Sequence, residues 1–242
     1  MEDSLNNAVR TCDLGLGLPP GAAHYRAYVG PPEDYDLISA MVFNLLTCAG
    51  LRQHHRVLDI GCGSLRIGRL LIPYLNPGNY FGIEPNQWLV SDGILNEVGQ
   101  DQISLKRPTF SYCNSLREFN NQPLEIDFAV AQSIFSHCST ALIREWLNET
   151  SQHLKDNGAL FATFLVAEED YCGTEGWIYP GCVKFRPQTM AQLAIEAGLE
   201  FTMLDWKHPR QTWAIFSKPG FNDALVSGGN ISWNRMMGTH RP

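Results

Sequence analysis

The fold of this chain is decided by residues 56–84, RVLDIGCGSLRIGRLLIPYLNPGNYFGIE. A short apolar run at 57–60 predicts a β-strand that stops at the glycines of 61–63, and apolar residues then recur at helical spacing through Tyr74. A second apolar run follows and ends in Glu84. Glycines at such a turn let the backbone approach a ligand closely, and the next helix points its positive N-terminus at the same place. A carboxylate at the tip of the following parallel strand can accept the hydroxyls of a ribose, so this stretch predicts a site for a nucleoside-containing ligand.

Two kinds of nucleoside cofactor suit this stretch, a nicotinamide dinucleotide and S-adenosylmethionine. The dinucleotide fingerprint G-x-G-x-x-G requires a glycine at position 66, and this chain has Arg66 there. The sequence VLDIGCG at 57–63, followed by Ile83 and Glu84, instead resembles motif I and the acidic loop of class I S-adenosylmethionine-dependent methyltransferases. That family usually has a further glycine at the position of Leu65. This departure leaves open a non-catalytic cofactor-binding protein, and an NAD-type oxidoreductase is a second alternative.

The resemblance implies roles for individual residues around the cofactor. In the family, the acid of motif I helps to hold the methionine end of the cofactor, a role that falls to Asp59, and the acid of the second strand holds the ribose, a role that falls to Glu84. The polar residue against the adenine amine would be Asn114 or Ser115. The cofactor-binding residues implied in this way are Asp59, Gly61, Cys62, Gly63, Glu84, Pro85, Asn114, Ser115 and Gln132. The product would be S-adenosylhomocysteine.

Composition narrows the class of protein and substrate. The 242 residues suffice for one large α/β domain, and a net charge of -7 without a basic cluster disfavours a nucleic-acid substrate and favours a small molecule. Seven cysteines without C-x-x-C spacing argue against a disulfide framework and a zinc site, and they predict a reducing, cytoplasmic location. No stretch reaches 18 apolar residues, so no membrane association is predicted. No metal is predicted, and the oligomeric state stays open.

The chain is predicted to consist of one α/β domain with additions at both ends. The domain resembles the class I methyltransferase type: a seven-stranded, mostly parallel sheet with helices on both faces and a closely connected C-terminal antiparallel strand pair. Nicotinamide-binding domains usually finish with another crossover instead. The resemblance also suggests that an irregular, Gly- and Pro-rich N-terminal arm folds over the cofactor as a lid, although the arm could equally pack against the flank of the domain. The predicted segments are 1–34 (arm), 35–217 (methyltransferase domain), 167–186 (substrate loop within it) and 218–242 (tail).

Candidate catalytic residues follow from the chemistry of the predicted reaction. Methyl transfer from a sulfonium is an in-line displacement that needs alignment more than acid, base or metal. An oxygen acceptor gains from a base, and His137, just past the fourth predicted strand, is the first candidate. The second candidates, after the fifth predicted strand, are Glu168, Glu169 and Asp170, of which Glu168 is preferred. His153 and His208 are discounted because they lie in a helix and in the terminal turn.

Four aromatic residues are candidates for substrate contact. Tyr28 belongs to the predicted arm, and Tyr171, Trp177 and Tyr179 belong to the predicted substrate loop. Such rings would stack on a flat apolar acceptor or on a sugar ring, although they could equally belong to the core. The sequence therefore predicts an S-adenosylmethionine-dependent methyltransferase that acts on a small molecule, at an oxygen atom.

Overall fold

A computed structural model of the chain describes residues 13–119 and 122–221. Residues 1–12 of the predicted arm and 222–242 of the predicted tail lie outside the described residues. The helices are α1 (Tyr25–Tyr28), α2 (Tyr35–Cys48), α3 (Gly68–Tyr74), α4 (Gln87–Gly93), α5 (Gln100–Lys106), α6 (Thr140–His153) and α7 (Pro187–Glu196). The strands are β1 (Val57–Ile60), β2 (Tyr80–Ile83), β3 (Thr109–Ser111), β4 (Ile126–Ala131), β5 (Leu154–Val166), β6 (Lys184–Phe185), β7 (Glu200–Leu204) and β8 (Thr212–Ser217). Shorter helical turns are Pro32–Asp34, Ile94–Val98, Arg117–Phe119 and Phe135–His137.

Seven strands form a continuous sheet in the order β3-β2-β1-β4-β5-β8-β7. Strands β1 to β5 pair in parallel, whereas β8 is antiparallel to both of its neighbours. The predicted α/β class, with a mostly parallel sheet and an antiparallel C-terminal pair, is confirmed. The predicted count of seven strands is too low by one, because Lys184 and Phe185 of the predicted substrate loop form β6. They pair with Leu165 and Val166, beyond Phe164, where the pairing of β5 with β8 ends.

Helices cover both faces of the sheet. Successive side chains of its central strands point to opposite faces and are mostly apolar, so both faces must be buried. In β1, Leu58 and Ile60 belong to a core shared with α6 and α7. Val57 belongs to a second core, shared with α2, α3 and α4. All six residues of β4 are buried. Burial on both faces explains why these strands appear in the sequence as short, almost continuous apolar runs.

The position of β8 determines which loops meet at one edge of the sheet. Thr212, at the start of β8, pairs with Phe164, near the end of β5. Because β8 runs opposite to β5, the connection that precedes it, residues 205–211, lies at the edge where the parallel strands have their carboxyl ends. Ligands of open α/β sheets bind at this edge.

The N-terminal arm is partly helical, whereas its Gly and Pro content predicted an irregular segment. It contains α1 and the helical turn Pro32–Asp34. Arg26 of α1 forms an ion pair with Glu97 at 2.5 Å. The hydroxyl of Tyr179 donates a hydrogen bond to the carbonyl of Tyr28. The arm is therefore held to the domain at one end of α1 and to the predicted substrate loop at the other.

Candidate active site

A cavity of about 700 Å³ lies at the carboxyl edge of the sheet. Its wall combines the arm, the glycine turn after β1, the tips of β2 and β4, the predicted substrate loop and the turn before β8. Among the wall residues are Tyr28, Val29, Gly61, Gly63, Arg66, Glu84, Pro85, Asn86, Asn114, Gln132, His137, Trp177, Tyr179, His208, Arg210 and Gln211. A cavity of this volume is in the range of sites that bind small molecules and cofactors.

The turn after β1 requires its glycines. Gly61 and Gly63 have φ angles of 67° and 54°, in the left-handed region. A Cβ on Gly63 would lie 2.7 Å from Cγ1 of Val29, and a Cβ on Gly61 would overlap the side chain of Ile134. Leu65 also has a positive φ, 61°, where the resemblance leads us to expect a further glycine. The backbone therefore makes a left-handed turn at this position even though its residue is not a glycine.

Glu84 is held at the tip of β2 by three hydrogen bonds. Its Oε2 accepts from the amide of Gly63 at 3.1 Å, and its Oε1 accepts from the amide and the side-chain nitrogen of Asn86, both at 2.8 Å. Burial raises the pKa of Glu84, and these hydrogen bonds oppose the increase. Oε1 already accepts two hydrogen bonds, but Oε2 accepts only one and keeps a lone pair, so the fixed group can also accept a hydroxyl from a ligand in the cavity. The residues present at this strand tip fit the ribose of a nucleoside cofactor.

Asp59 does not line the cavity, in contrast to the role implied by the resemblance. It is 1% exposed, and its Oδ2 accepts a hydrogen bond from the Tyr80 hydroxyl at 2.8 Å. Alternation along β1 turns it away from the side of Ile60, which does line the cavity. Burial raises the pKa of Asp59 to about 7. Cys62 and Ser115 also lie outside the wall. The implied cofactor-binding residues that line the cavity are Gly61, Gly63, Glu84, Pro85, Asn114 and Gln132.

His137 lines the cavity with its ring oriented by the backbone. Its Nδ1 lies 2.7 Å from the carbonyl oxygen of Gly181. Because a carbonyl only accepts, Nδ1 carries the proton, and Nε2 of the neutral ring is left as a proton acceptor. Burial lowers the pKa of His137, so the ring is neutral near pH 7. The ring centroids of Trp177 and Tyr179 lie 5.6 and 5.0 Å from that of His137.

Two other predicted site residues lie outside the cavity wall. Glu168 is exposed to solvent, so its position does not support a role as the base. Tyr171 packs against the core that α6 and α7 share with the sheet, so its position does not support substrate contact. The other predicted aromatic residues, Tyr28, Trp177 and Tyr179, line the cavity.

A cluster of hydrogen-bonded polar side chains, which the sequence did not predict, lies on the β4 side of the cavity. Arg66 donates hydrogen bonds to the carbonyl of Val29 at 3.0 Å and to Oε1 of Gln132. The Nε2 atoms of Gln132 and His208 are 3.1 Å apart. Burial and the charges of Arg66 and Arg210 lower the pKa of His208 to about 4. His208, discounted from the sequence as a turn residue, thus belongs to the cavity wall. The signal that could have found it is the antiparallel strand pair, which brings the turn to this edge.

Part of the sequence around this site matches a known protein family. Residues 58–160 match the family model of a methyltransferase domain. The match identifies these residues as a methyltransferase domain. The matched region begins in β1 and ends in β5, so it includes the glycine turn and the tips of β1, β2 and β4.

Solved structures share the fold of this methyltransferase. Magnesium protoporphyrin IX methyltransferase from Synechocystis PCC 6803, with bound S-adenosylmethionine, has a TM-score of 0.53 at 12% identity, and the match covers 77% of this chain and 78% of that chain. A SAM-dependent methyltransferase from Leishmania major has a TM-score of 0.58 at 16% identity, covering 85% and 80%. An O-methyltransferase family protein from Burkholderia thailandensis has a TM-score of 0.52 at 15% identity, covering 76% and 58%. The predicted fold is confirmed.

Within residues 13–119 and 122–221, no group of three or more His, Cys, Asp or Glu side chains is arranged to hold a metal ion. No helix in these two ranges combines the length and the apolar character needed to cross a membrane.

Proposed function

We propose that this methyltransferase transfers a methyl group to an oxygen atom of a small molecule. The observation that carries the proposal is that one cavity contains both the residues suited to the cofactor and a neutral, oriented histidine. Glu84 and the glycine turn form one part of the wall, and His137 forms another together with the rings of Trp177 and Tyr179. Cofactor and acceptor would therefore share one enclosed space, as direct transfer requires.

The residues of the chain align the reactants and take up a proton. The cofactor, when bound, supplies an electrophilic methyl group on a positively charged sulfur. Alignment of an acceptor with that methyl group can supply about 7–11 kcal/mol of the barrier. We expect Glu84 to hold the ribose, and Nε2 of His137 to accept the hydroxyl proton of the acceptor as the new C–O bond forms and the C–S bond breaks with its electron pair on sulfur. Such a base contributes a factor of about 10²–10⁴ to the rate.

The aromatic residues of the wall support an acceptor with a flat or sugar ring. The ring centroids of Tyr28 and Tyr179 are 5.5 Å apart, and Trp177 stacks on Tyr179 at 6.1 Å. Aromatic faces of this kind bind planar apolar rings and the apolar faces of sugars. The cavity volume of about 700 Å³ and the net charge of -7 support a small molecule over a nucleic acid. The cysteine pattern supports a reducing cytoplasm as the place of the reaction.

The test of this proposal is transfer of tritium from S-adenosylmethionine labelled in its methyl group to a panel of phenols, catechols, hydroxylated carboxylic acids and hydroxylated glycosides. We expect an O-methylated product with at least one of them, and S-adenosylhomocysteine in equal amount. His137→Gln should bind S-adenosylhomocysteine as the wild type does and lose about 10²–10⁴-fold in turnover. His54→Gln, at an exposed histidine outside the cavity, is the control.

The same assay tests the protonation state of the base. Because only the neutral ring can accept a proton, turnover of the wild type should fall as the pH falls through the lowered pKa of His137. Tritium found only on nitrogen or carbon would contradict an oxygen acceptor. Full turnover in His137→Gln would exclude His137 as the base.

A further inference from the structure

Arg66 holds a buried positive charge that no carboxylate of the described chain neutralises. The residue is 7% exposed and lines the cavity. Its hydrogen bonds go to two neutral oxygens, the carbonyl of Val29 and the side-chain amide of Gln132. None of the ion pairs among residues 13–119 and 122–221 includes Arg66. A buried charge without a counter-ion is costly, so its place in a cavity wall indicates that a ligand supplies the counter-ion.

The two carboxylates whose charges act on Arg66 already have other partners. Asp59 and Asp34 both act on its guanidinium. Asp59 accepts a hydrogen bond from Tyr80, and Asp34 pairs with Arg210 at 2.5 Å. A guanidinium has five N–H donors in one plane, and the protein uses only some of those of Arg66. The remaining donors suit an oxyanion, and a carboxylate matches their planar geometry best.

The order of the strands places this charge away from the ribose end of the cavity. Gln132, which Arg66 contacts, follows β4, and its amide nitrogen lies beside His208 in the turn before β8. In the sheet, β4 lies on one side of β1, and β2, whose tip bears Glu84, lies on the other. The guanidinium of Arg66 and the carboxylate of Glu84 therefore lie toward opposite sides of β1. This arrangement excludes the ribose as the partner of Arg66 and leaves two carboxylates as possible partners, that of the acceptor and that of the amino-acid end of the cofactor.

We propose that Arg66, with His208 and Arg210 beside it in the wall, binds a carboxylate group of the acceptor, and that the acceptor is a hydroxylated carboxylic acid. The inference rests on the proposed function and specifies its substrate class. With its carboxylate at Arg66, a flat acceptor places its hydroxyl group among the rings that surround His137. A neutral analogue of the same shape is rejected because it leaves the guanidinium without a counter-ion.

The test measures binding to the protein loaded with S-adenosylhomocysteine, so that no turnover is needed. The probes are 4-hydroxybenzoate, 4-hydroxyphenylacetate and 4-hydroxycinnamate, each compared with its neutral primary amide by calorimetry. The wild type should bind at least one acid about tenfold more tightly than the corresponding amide, because one charge-assisted pair supplies that ratio. In Arg66→Gln the preference should fall below about twofold with the affinity for S-adenosylhomocysteine unchanged. Arg144→Gln, at a half-exposed arginine that pairs with Glu196, is the matched control and should behave as the wild type.

The outcomes separate the two possible sources of the carboxylate. If Arg66→Gln binds S-adenosylhomocysteine about tenfold more weakly, the charge belongs to the amino-acid end of the cofactor and the proposal is overturned. Equal binding of every acid and its amide by the wild type also overturns it. Failure of the wild type to bind S-adenosylhomocysteine contradicts the proposed function instead. Should Arg66→Gln not fold, Arg66→Lys keeps the charge without the planar pair of donors; it should show a reduced preference for the acid, and an unchanged preference would overturn the proposal.

Discussion

Asp59 and Glu84, the two acids of the central stretch, have different environments for a geometric reason. Asp59 lies within β1, opposite Gly82 in the register, whereas Glu84 lies just beyond the end of β2. A side chain within a strand that is covered on both faces must enter one of the two cores, so Asp59 packs against Tyr80. A side chain beyond the strand end can turn to the edge, and Glu84 does so. The resemblance to a motif locates both acids in the chain but does not determine which of them faces the cavity.

Replacing Glu84 with Gln should weaken the binding of S-adenosylhomocysteine by about 1.5–3 kcal/mol, because hydrogen bonds from the ribose to a charged group are lost. Calorimetric titration measures the difference. Glu145→Gln, at an exposed position of α6, removes the same charge away from the cavity and should leave the affinity unchanged. Equal affinities of Glu84→Gln and the wild type would exclude Glu84 from the ribose site.

At position 65, a glycine should give a more stable protein than an alanine, the reverse of the usual order. It is fully buried and has a φ of 61°. Both Leu65→Gly and Leu65→Ala lose the buried side chain, and such losses cost about 2–5 kcal/mol. Only glycine also removes the left-handed strain, worth about 1 kcal/mol, so Leu65→Gly should be the more stable variant in urea denaturation. A more stable Leu65→Ala would show that the turn is not strained at this residue.

At the level of elements, a buried charge network attaches the N-terminal arm to the domain. Glu97 accepts hydrogen bonds from the Tyr25 hydroxyl at 3.0 Å and from Nε of Arg26 at 2.8 Å, and it pairs with Arg69 of α3 at 3.1 Å. The side chains of Arg26 and Glu97 are 6% and 5% exposed. Residues 28–31, which comprise the last residue of α1 and the three that follow it, line the cavity. The network therefore positions one side of the candidate active site.

Glu97→Gln should reduce the free energy of unfolding by about 3 kcal/mol, because it removes the buried counter-ion of Arg26 and Arg69 and leaves them only the exposed Asp36. Urea denaturation measures the stability, and amide hydrogen exchange of residues 25–34 measures the attachment of the arm. Glu33→Gln removes a fully exposed carboxylate from the same arm and is the control. Unchanged exchange in Glu97→Gln would show that other contacts hold the arm in place.

At the level of the whole molecule, the sheet order brings together residues that are distant in the chain. The insertion of β8 between β5 and β7 carries His208 to the edge where Gln132 and Arg66 lie. The resulting surroundings, buried and positively charged, hold the pKa of His208 at about 4. A histidine in the same turn of an ordinary surface hairpin would face water and titrate near its usual value.

His208→Gln should make the free energy of unfolding less sensitive to acid. Between pH 6.5, the value for the unfolded chain, and about 4, the unfolded chain binds a proton that the folded protein does not, so stability falls as the pH falls, by about 1.4 kcal/mol per pH unit. From about pH 7 to about pH 5, the wild type should lose about 2 kcal/mol more than the variant in urea denaturation.

The comparison with the variant is needed because other groups titrate in this interval. Asp59, whose pKa is raised to about 7, has the opposite effect, since the folded protein binds its proton first as the pH falls. His54→Gln, at an exposed histidine, should match the wild type. Equal losses in the wild type and His208→Gln would contradict the burial of a neutral His208.

The sequence by itself was sufficient for the class of fold, the glycine turn and the acid at the tip of β2. These features depend on local patterns: an apolar run of strand length, glycines that allow a left-handed turn, and helical spacing after it. The terminal strand pair was equally visible, since only a short polar segment separates two apolar runs. The small strand β6 could not be predicted from the sequence. It forms only because β5 extends past the start of β8, where the backbone groups of β5 are free to pair with another segment.

Only the tertiary structure decided which polar side chains line the cavity. It placed Arg66 and His208 in the wall, and it left Asp59 and Glu168 outside. The direction and burial of these side chains depend on strand order and on contacts between segments far apart in the chain, which no local pattern encodes. The charge that remains without a partner at Arg66 is likewise a property of the assembled fold, because it is defined by the carboxylates that packing has engaged elsewhere.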